Sequence, residues 1–402
     1  MTFHSNANLP QGGGQGRTDA PEDLLRSMVQ RLVQETIQGE FDQFMGAAPF
    51  ERGPGRRGWR NGYKPRTFKT RVGKLVLRIP QDREGRFQPS IFERYERSEK
   101  ALVAAMIEMY IHGVSTRKVS KIVEQLCGHL ISASAVSAVT KKLDDEVTAW
   151  RRRSLAGKRY PYLIVDAHYE QLRREGSVRS TAVLWVVGID EEGYREHLGL
   201  WTGSAESLET WGAVFRDLVD RGVAGVQMTV SDEHLGLVQA LKRYFPHAAH
   251  QRCTVHYMRN ALAHVSSDTW KQEVRDGLRD VWAAPTCGEG EERLQRLVAK
   301  ARKPVPSLAE WLERTGHETL TFLEHCAPEH RRLLKTTNSM EHDHAEVRRR
   351  SRVVRIFPNE ASLIRLLGAL SIERNEQWME RRYMVFKTDA GTTDREEVTQ
   401  VA

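Results

Sequence analysis

Between residues 160 and 256 the chain runs through strand-like and helix-like segments in an order that few architectures accommodate. "YLIVDAHY" reads as a short apolar strand, "TAVLWVVGID" as a second, and "YREHLGLWTG" as a third with alternation. "SAESLETWGAVFRDLVDRG" then puts Trp211, Val214, Phe215, Leu218 and Val219 on one side of a helix. "VQMTVSD" follows as a fourth strand, "LGLVQALKRYF" as a helix and "AHQRCTV" as a fifth strand, with a helix opening at His256. Three consecutive strands predict an antiparallel meander, and strands separated by helices predict parallel additions. The expected product is an α/β domain on a mixed five-stranded sheet, not a uniform doubly wound one.

This order is that of a ribonuclease H-like core, and two carboxylates hold equivalent places in it. Asp166 ends the run Leu163-Ile164-Val165, and Asp232 ends Met228-Thr229-Val230-Ser231. A carboxylate at the end of a buried strand costs stability unless water or a cation compensates it. If the first and fourth strands are neighbours, both side chains converge. A third acid from a later helix would complete a hard-oxygen site for two Mg²⁺ or Mn²⁺ ions about 3.5–4 Å apart. Candidates for that acid are Glu341, Asp343, Glu346 and Glu233. Glu341 stands three residues after Asn338, a candidate N-cap, so a capping box explains it equally well. The cations Arg348, Arg349, Arg350, Arg352 and Arg355 follow, as phosphate ligands or as a solvated helical face.

The rest of the chain points to an anionic partner. Its 402 residues carry a formal net charge of +8, and from Arg52 to Arg78 there are ten Lys/Arg and no Asp/Glu. Trp59, Tyr63 and Phe68 interrupt this basic run, which includes Arg56, Arg57, Arg60, Lys64, Arg66, Lys69 and Arg71. Cations with aromatics suit phosphate neutralisation and stacking on bases. "PEDLLRSMVQRLVQETIQGEFDQFMG" is an amphipathic helix with Leu24, Leu25, Met28, Leu32 and Val33 at helical spacing. Residues 98–156 read as three helices. The second, capped by Ser115, carries Val119, Ile122, Val123 and Leu126 inward and stops at Gly128. The third buries Val136, Val139, Leu143 and Val147 and shows Ser137, Thr140, Lys141 and Lys142 on other faces. With Arg117 and Lys118 on the helix before it, this is either a helix-turn-helix DNA reader or a plain helical bundle. Four scattered cysteines without C-x-x-C argue against a disulfide scaffold, and no apolar run reaches membrane-span length. A cytoplasmic, nucleoid-associated protein is expected.

In "HAAHQRCTVH" the residues His247, His250, Cys253 and His256 recur every third position, which suggests zinc. With His250, Cys253 and His256 in an extended strand, however, that spacing alternates faces and the four cannot converge. Structural zinc also usually closes with two separate ligand pairs.

Taken together, "YLIVDAHYEQLR", "TVSDEHLGLVQALKRYFP", "HQRCTVHYMRNAL" and "TTNSMEHDHAEVRRRSRVVRIFPN" resemble the first-Asp, second-Asp, C/D-x-x-H and Glu segments of the Mutator-type transposases of bacterial insertion sequences, a branch of the DDE recombinases. "RNGYKPRTFKTRVGKLVLRIPQDREGRF" and "EMYIHGVSTRKVSKIVEQL" resemble the family's DNA-binding portion, and the likeness spans residues 20–380. It implies an RNase H-like core interrupted by a helical insertion, with Asp166, Asp232 and Glu341 as the catalytic and metal-binding triad. Cys253 and His256 would be accessory groups beside it. The Glu segment departs from the family pattern, since His342 and Asp343 follow the acid where relatives more often have Ser-Leu-Asn. The expected organisation is a tail (1–20), an N-terminal helix and basic segment (21–97), a helix-turn-helix-like domain (98–156), a core in two parts (157–256 and 336–387) around a helical insertion (257–335), and a polar tail (388–402). The implied activity is Mg²⁺- or Mn²⁺-dependent hydrolysis and strand transfer on double-stranded transposon ends and target DNA. Paired ends imply a homodimer or higher synaptic assembly, with no membrane partner. A non-catalytic helix-turn-helix protein, either a regulator or a decayed transposase, is the alternative from another class, and a structure-specific nuclease is a third reading.

Overall fold

The computed structural model describes residues 21–51, 53–91, 98–128 and 130–386, so the two expected tails and Arg52 lie outside the described residues. The chain divides into two compact units, one of Met1–Tyr110 with Val114–Thr140, the other of Ile111–Gly113 with Lys141–Ala402.

In the first unit, α1 (Pro21–Met45) packs on an antiparallel ribbon of β1 (Arg60–Thr70) and β2 (Gly73–Asp82). Phe68, Leu75, Leu77 and Ile79 face inward against Ile37, Val29 and Val33. A two-stranded ribbon covers only a narrow stripe, and that stripe is the i, i+4 row running from Val29 to Met45. The N-terminal leucines expected to face a core therefore lie outside it: Leu24, Leu25, Met28 and Leu32 are more than half exposed. The basic segment supplies β1 and the first half of β2.

Next come α2 (Lys100–Ile111), α3 (Thr116–Cys127) and α4 (Ala133–Thr140). As expected, Ser115 caps α3, its Oγ accepting the Lys118 N–H at 3.3 Å, and Gly128 ends it in the left-handed region at φ 63°. The buried row is Val119, Val123 and Cys127, packed on Leu102, Val103, Met106, Ile131 and Val136. Leu126 lies off that row and is exposed, while Thr140 is buried. The expected third helix is two helices. Lys141 and Lys142 form a turn, and α5 (Leu143–Arg152) restarts with Asp144, Asp145 and Glu146 in its first turn. Acids there favour a new N-terminus, and Arg365 grips Asp144 through two bonds of 2.6 and 2.8 Å.

The second unit is an α/β domain on a mixed sheet ordered β5-β4-β3-β6-β7, made of β3 (Tyr162–Arg174), β4 (Ser177–Ile189), β5 (Arg195–Gly203), β6 (Met228–Ser231) and β7 (Ala249–Arg252). The first three strands form the expected meander, and β6 and β7 add in parallel beside β3. One face, with Leu163, Val165, Leu184 and Val186, packs on α6 (Leu208–Asp220) and α7 (Leu235–Tyr244) through Trp211, Phe215, Leu218 and Leu237. Val219 falls off that stripe and is exposed. After β7 come α8 (Thr254–Ala263), α9 (Asp268–Trp282), α10 (Cys287–Ala301), α11 (Pro306–Thr315), α12 (Thr321–His325) and α13 (Arg331–Leu334). Then α14 (Asn338–Ser351) contacts β3, while α15 (Glu360–Met379) packs on β5 and α5. Gly368 permits the last contact, because a Cβ there would lie 2.3 Å from Val147. Among the described residues no helix is long and apolar enough to cross a membrane.

Candidate active site

β3 and β6 run parallel in the register Tyr162↔Met228, Leu163↔Thr229, Ile164↔Val230. Two residues beyond the last of these pairs stand Asp166 and Asp232. Side chains alternate along a strand, so Asp166, still within β3, projects on the face that carries Ile164, away from α6 and α7, and Asp232, one residue past the end of β6, is near enough to act on it electrostatically. Asp166 is buried and Asp232 half-buried. Burial first, then the negative charge of Asp232, push the Asp166 carboxyl up to about 7, with cationic His256 pulling the other way. Compensation for that burial is thin. Oδ1 accepts the Ala167 N–H at 2.9 Å, and Oδ2 faces His344 Nδ1 across 3.5 Å. An under-bonded buried carboxylate beside a second carboxylate is a fit for a hard divalent cation.

Of the four candidates for a third acid, only one faces this point. Asp166 and Glu341 line one cavity of about 380 Å³ together with His168, His256, His344, Arg259 and Arg348. Glu341 sits in the first turn of α14, its Oε1 3.5 Å from His256 Nε2 and 3.6 Å from Arg259. Thr337, rather than Asn338, occupies the N-cap position, without a side-chain capping bond. The other candidates are engaged elsewhere. Asp343 is buried on the far side of α14 against Arg374 at 2.9 Å and His197 at 3.7 Å. Glu346 holds Arg349 and Arg350, and Glu233 pairs with Arg252. Among the described residues no three His, Cys, Asp or Glu side chains close on a single point as a ready-made metal cage. That holds for the spaced His247–His256 motif too.

The geometry of that motif corrects the sequence reading. β7 ends at Arg252 and α8 begins at Thr254, so Cys253 is an N-cap residue and His256 lies on a helix, not in a strand. The i, i+3 spacing then brings these two together. His250 points elsewhere, bonding Ser231 at 2.9 Å. Cys253 is fully buried, and its Sγ accepts the Thr337 N–H and hydroxyl at 3.3 Å each, tying the start of α8 to the start of α14. Its interaction with Cys253 above all, against burial, pushes His256 up to about 9, so the imidazole is cationic at neutral pH beside three carboxylates. Two helix N-termini and the cations Arg259 and Arg348 add positive potential around the same cavity.

His168, His344 and Arg259 were missed from sequence. Each stands one period from a recognised residue: His168 two after Asp166 on a strand, His344 three after Glu341, and Arg259 three after His256 on helices. That spacing was the available signal.

The basic residues divide by what holds them. Arg60 turns inward, bonding Asp42 at 2.9 Å and resting 4.9 Å above Phe41. Arg350 is buried and bonds Glu346, Glu373 at 2.8 Å and the Ile111 carbonyl at 3.1 Å. Arg71 pairs with Glu99 at 3.1 Å, and Arg56 lies 4.6 Å over Trp59. Arg57, Lys64, Arg117, Lys118, Lys141, Lys142, Arg348 and Arg349 are exposed, and Arg66 and Lys69 are partly so.

Sequence comparison meets the geometry here. The model of the family "Transposase, Mutator family" matches residues 3–381. The chain is 46% identical over 366 residues, 90% of each chain, to the transposase for insertion sequence element ISRM5 of Rhizobium meliloti. It is 38% identical over 373 residues to the transposase for insertion sequence element IS256 in transposon Tn4001 of Staphylococcus aureus, covering 91% of this chain and 94% of that one. The corresponding protein of IS406 in Burkholderia multivorans is 39% identical over 350 residues, 87% and 89% of the two chains. With matches that run nearly end to end, this chain belongs to the Mutator family of transposases.

Proposed function

We propose that this protein is a DDE transposase. In this reading it binds the terminal inverted repeats of an insertion sequence, hydrolyses a phosphodiester to free a 3′-hydroxyl, and directs that hydroxyl onto target DNA. The observation that carries the reading is the shared cavity of Asp166 and Glu341 with Asp232 electrostatically coupled to Asp166. The sheet order and the helices between β7 and α14 support an RNase H-like core with a helical insertion at 257–335. The capped α3, its Gly128 stop and the short α4 support a helix-turn-helix that reads DNA through Arg117, Lys118 and the α4 surface.

Asp166, Asp232 and Glu341 would hold divalent cations, Mg²⁺ or Mn²⁺, which supply Lewis acidity toward the scissile phosphate and an activated oxygen nucleophile. The chain's own groups do the rest. His256, held cationic, spaces Glu341 from Asp166 and offers positive charge to a phosphate. Arg259 and Arg348, on separate helices at the cavity rim, orient the DNA backbone by charge-assisted bonds. Cys253 holds the Thr337 end of α14, so that Glu341 faces the sheet, and acts electrostatically on the His256 imidazole beside it. Two ends must be held together for joining, which calls for a homodimer or a larger synaptic assembly on DNA, acting at the nucleoid in the cytoplasm.

The test is Asp166→Asn in the full chain on a labelled end duplex with Mg²⁺. Nicking and strand transfer should vanish while end-binding stays near wild type. Strand transfer at wild-type level would overturn the triad. A wild-type protein that binds ends and cuts nothing, with Mn²⁺ added, would favour the non-catalytic reading.

A further inference from the structure

The ribbon of β1 and β2 has one face against α1 and one face in solvent. Along the solvent face the register pairs Lys69 with Lys74 and Thr67 with Val76, and places Arg78 diagonal to Tyr63. From Arg60 to Gln81 the ribbon carries no Asp or Glu. Two features of it are unfavourable for a bare protein surface. Like charges directly opposite each other on adjacent strands repel, and Lys69↔Lys74 is such a pair. Val76 and Tyr63 are also about half exposed. Arg78 is not a loose cation either, since its guanidinium stands 4.8 Å over the Tyr63 ring, which fixes its direction.

The ribbon is held rigid from behind. Gln34 of α1 both accepts the Arg78 N–H and donates to the Arg78 carbonyl, at 2.8 Å each, and Gln30 accepts the Val76 N–H. These bonds occupy the outer edge of β2 and leave its side-chain face open. From Tyr63 to Lys69 that face runs roughly 20 Å at about 3.4 Å per residue. Two strands about 5 Å apart with their side chains match a B-form major groove about 12 Å wide.

We propose that the solvent face of the β1–β2 ribbon lies in the major groove of the element's terminal repeat. Lys69 and Lys74 splay to phosphates on opposite groove walls, which relieves their mutual repulsion. Arg78, aimed by Tyr63, donates to guanine O6 and N7, and Thr67 with Val76 meets the base edges between, where a thymine methyl suits them. The division of labour is phosphate contacts at the tip and base contacts toward the root. This rests on the end-binding reading above and adds a second reader, independent of α3 and α4.

The experiment measures the full-length protein on a terminal-repeat duplex and a scrambled duplex by fluorescence anisotropy across a salt series. The variants are Arg78→Ala and the pair Lys69→Ala/Lys74→Ala, each checked for an unchanged melting curve. Arg78→Ala should lose on the order of ten- to a hundredfold for the repeat and little for the scrambled duplex. Replacing the contacted guanine by 7-deazaguanine, which lacks the N7 acceptor, should weaken wild type and leave Arg78→Ala indifferent. The lysine pair should weaken both duplexes alike and flatten the slope of log affinity against log salt by about two. Folded variants with wild-type affinity, salt slope and 7-deazaguanine sensitivity would overturn the proposal while sparing end-binding. A wild-type protein with no preference for the repeat would instead overturn the reading beneath it.

Discussion

His344 presents Nδ1 to Oδ2 of Asp166 at 3.5 Å from a slot between two rings, with Trp185 stacked 4.7 Å away and His168 5.4 Å away. Burial, then the charges of His168 and His197, drive its pKa down to about 3, so it meets Asp166 as a neutral ring. His197 is likewise held down to about 3, by burial and then by Arg374. A histidine pKa lowered in the fold means that the unfolded chain binds the extra proton first. The contribution to stability is complete above about 6.5 and is lost as pH falls toward 3. Asp343, raised to about 6, opposes this below pH 6. Asp166, raised to about 7, opposes it as well, so the readout is the difference between proteins: on acidification from pH 6.5 the melting temperature of His344→Phe should fall less, or rise more, than that of wild type. A variant with the wild-type slope would show that the ring is protonated in the fold.

The carboxylate of Asp166 has the opposite sign. Its pKa rises from 3.8 to about 7 on folding, so its favourable contribution is present below 3.8 and lost as pH passes 7. Asp166→Asn removes that burden. In EDTA at pH 8 it should melt a few degrees above wild type, and at pH 5 the gap should shrink. Added Mg²⁺ should raise the melting temperature of wild type and leave the Asn variant where it was. Calorimetry under the four conditions decides.

Cys253 joins α8 to α14 through two bonds from Thr337. Removing the sulfur strands both buried donors, at a cost of about 1–3 kcal/mol, and lets the start of α14 drift. Cys253→Ala should lose stability of that order and at least tenfold in cleavage rate with end-binding little changed. Cys253→Ser, which still accepts a bond, should recover part of both. Equal loss in the two variants would point to sulfur chemistry rather than anchoring.

In the Arg-rich run, burial separates neighbours. Arg350 is buried and bonded to Glu346 and Glu373, while Arg349 is exposed and, among the described residues, pairs with Glu346 on its own helix. Breaking a buried pair by removing one partner costs about 3–5 kcal/mol, and an exposed pair is worth under about 1. Urea melts should place Arg350→Ala well below wild type and Arg349→Ala within error of it. Comparable losses would mean that the Glu373 pair holds nothing.

The sheet was legible because its strands carry long apolar or alternating runs, and the element order from Tyr162 to Arg252 leaves little choice of pairing. Asp166 and Asp232 could be singled out because each acid ends an apolar strand, whereas Glu341 stood among four candidate acids until the resemblance to the transposase family picked it out. The failures have common physical causes. Leu24, Leu126 and Val219 sit on apolar faces by spacing, but burial is decided by which row meets a partner, and periodicity does not name the partner. The β1 strand was hidden by its cations, since Lys64 and Arg66 stand at the alternate positions leading to Phe68, where a one-sided sheet would show apolar side chains. The Cys253–His256 proximity was lost by a three-residue error in where β7 ends, which turned an i, i+3 helical pair into alternating strand positions. The pairing of Arg60 with Asp42 and of Arg350 with Glu373 depends on tertiary placement, and nothing in a charge run distinguishes a solvated cation from a buried one.

Manganese binding tests the central claim, that the acids at the ends of β3 and β6 and in the first turn of α14 form one cation site. Titrated into the full-length protein and followed by the electron paramagnetic resonance of free Mn²⁺, wild type should take up about two ions per chain. Asp166→Asn, Asp232→Asn and Glu341→Gln should each remove or sharply weaken that uptake. Wild-type stoichiometry and affinity in all three folded variants would contradict the account.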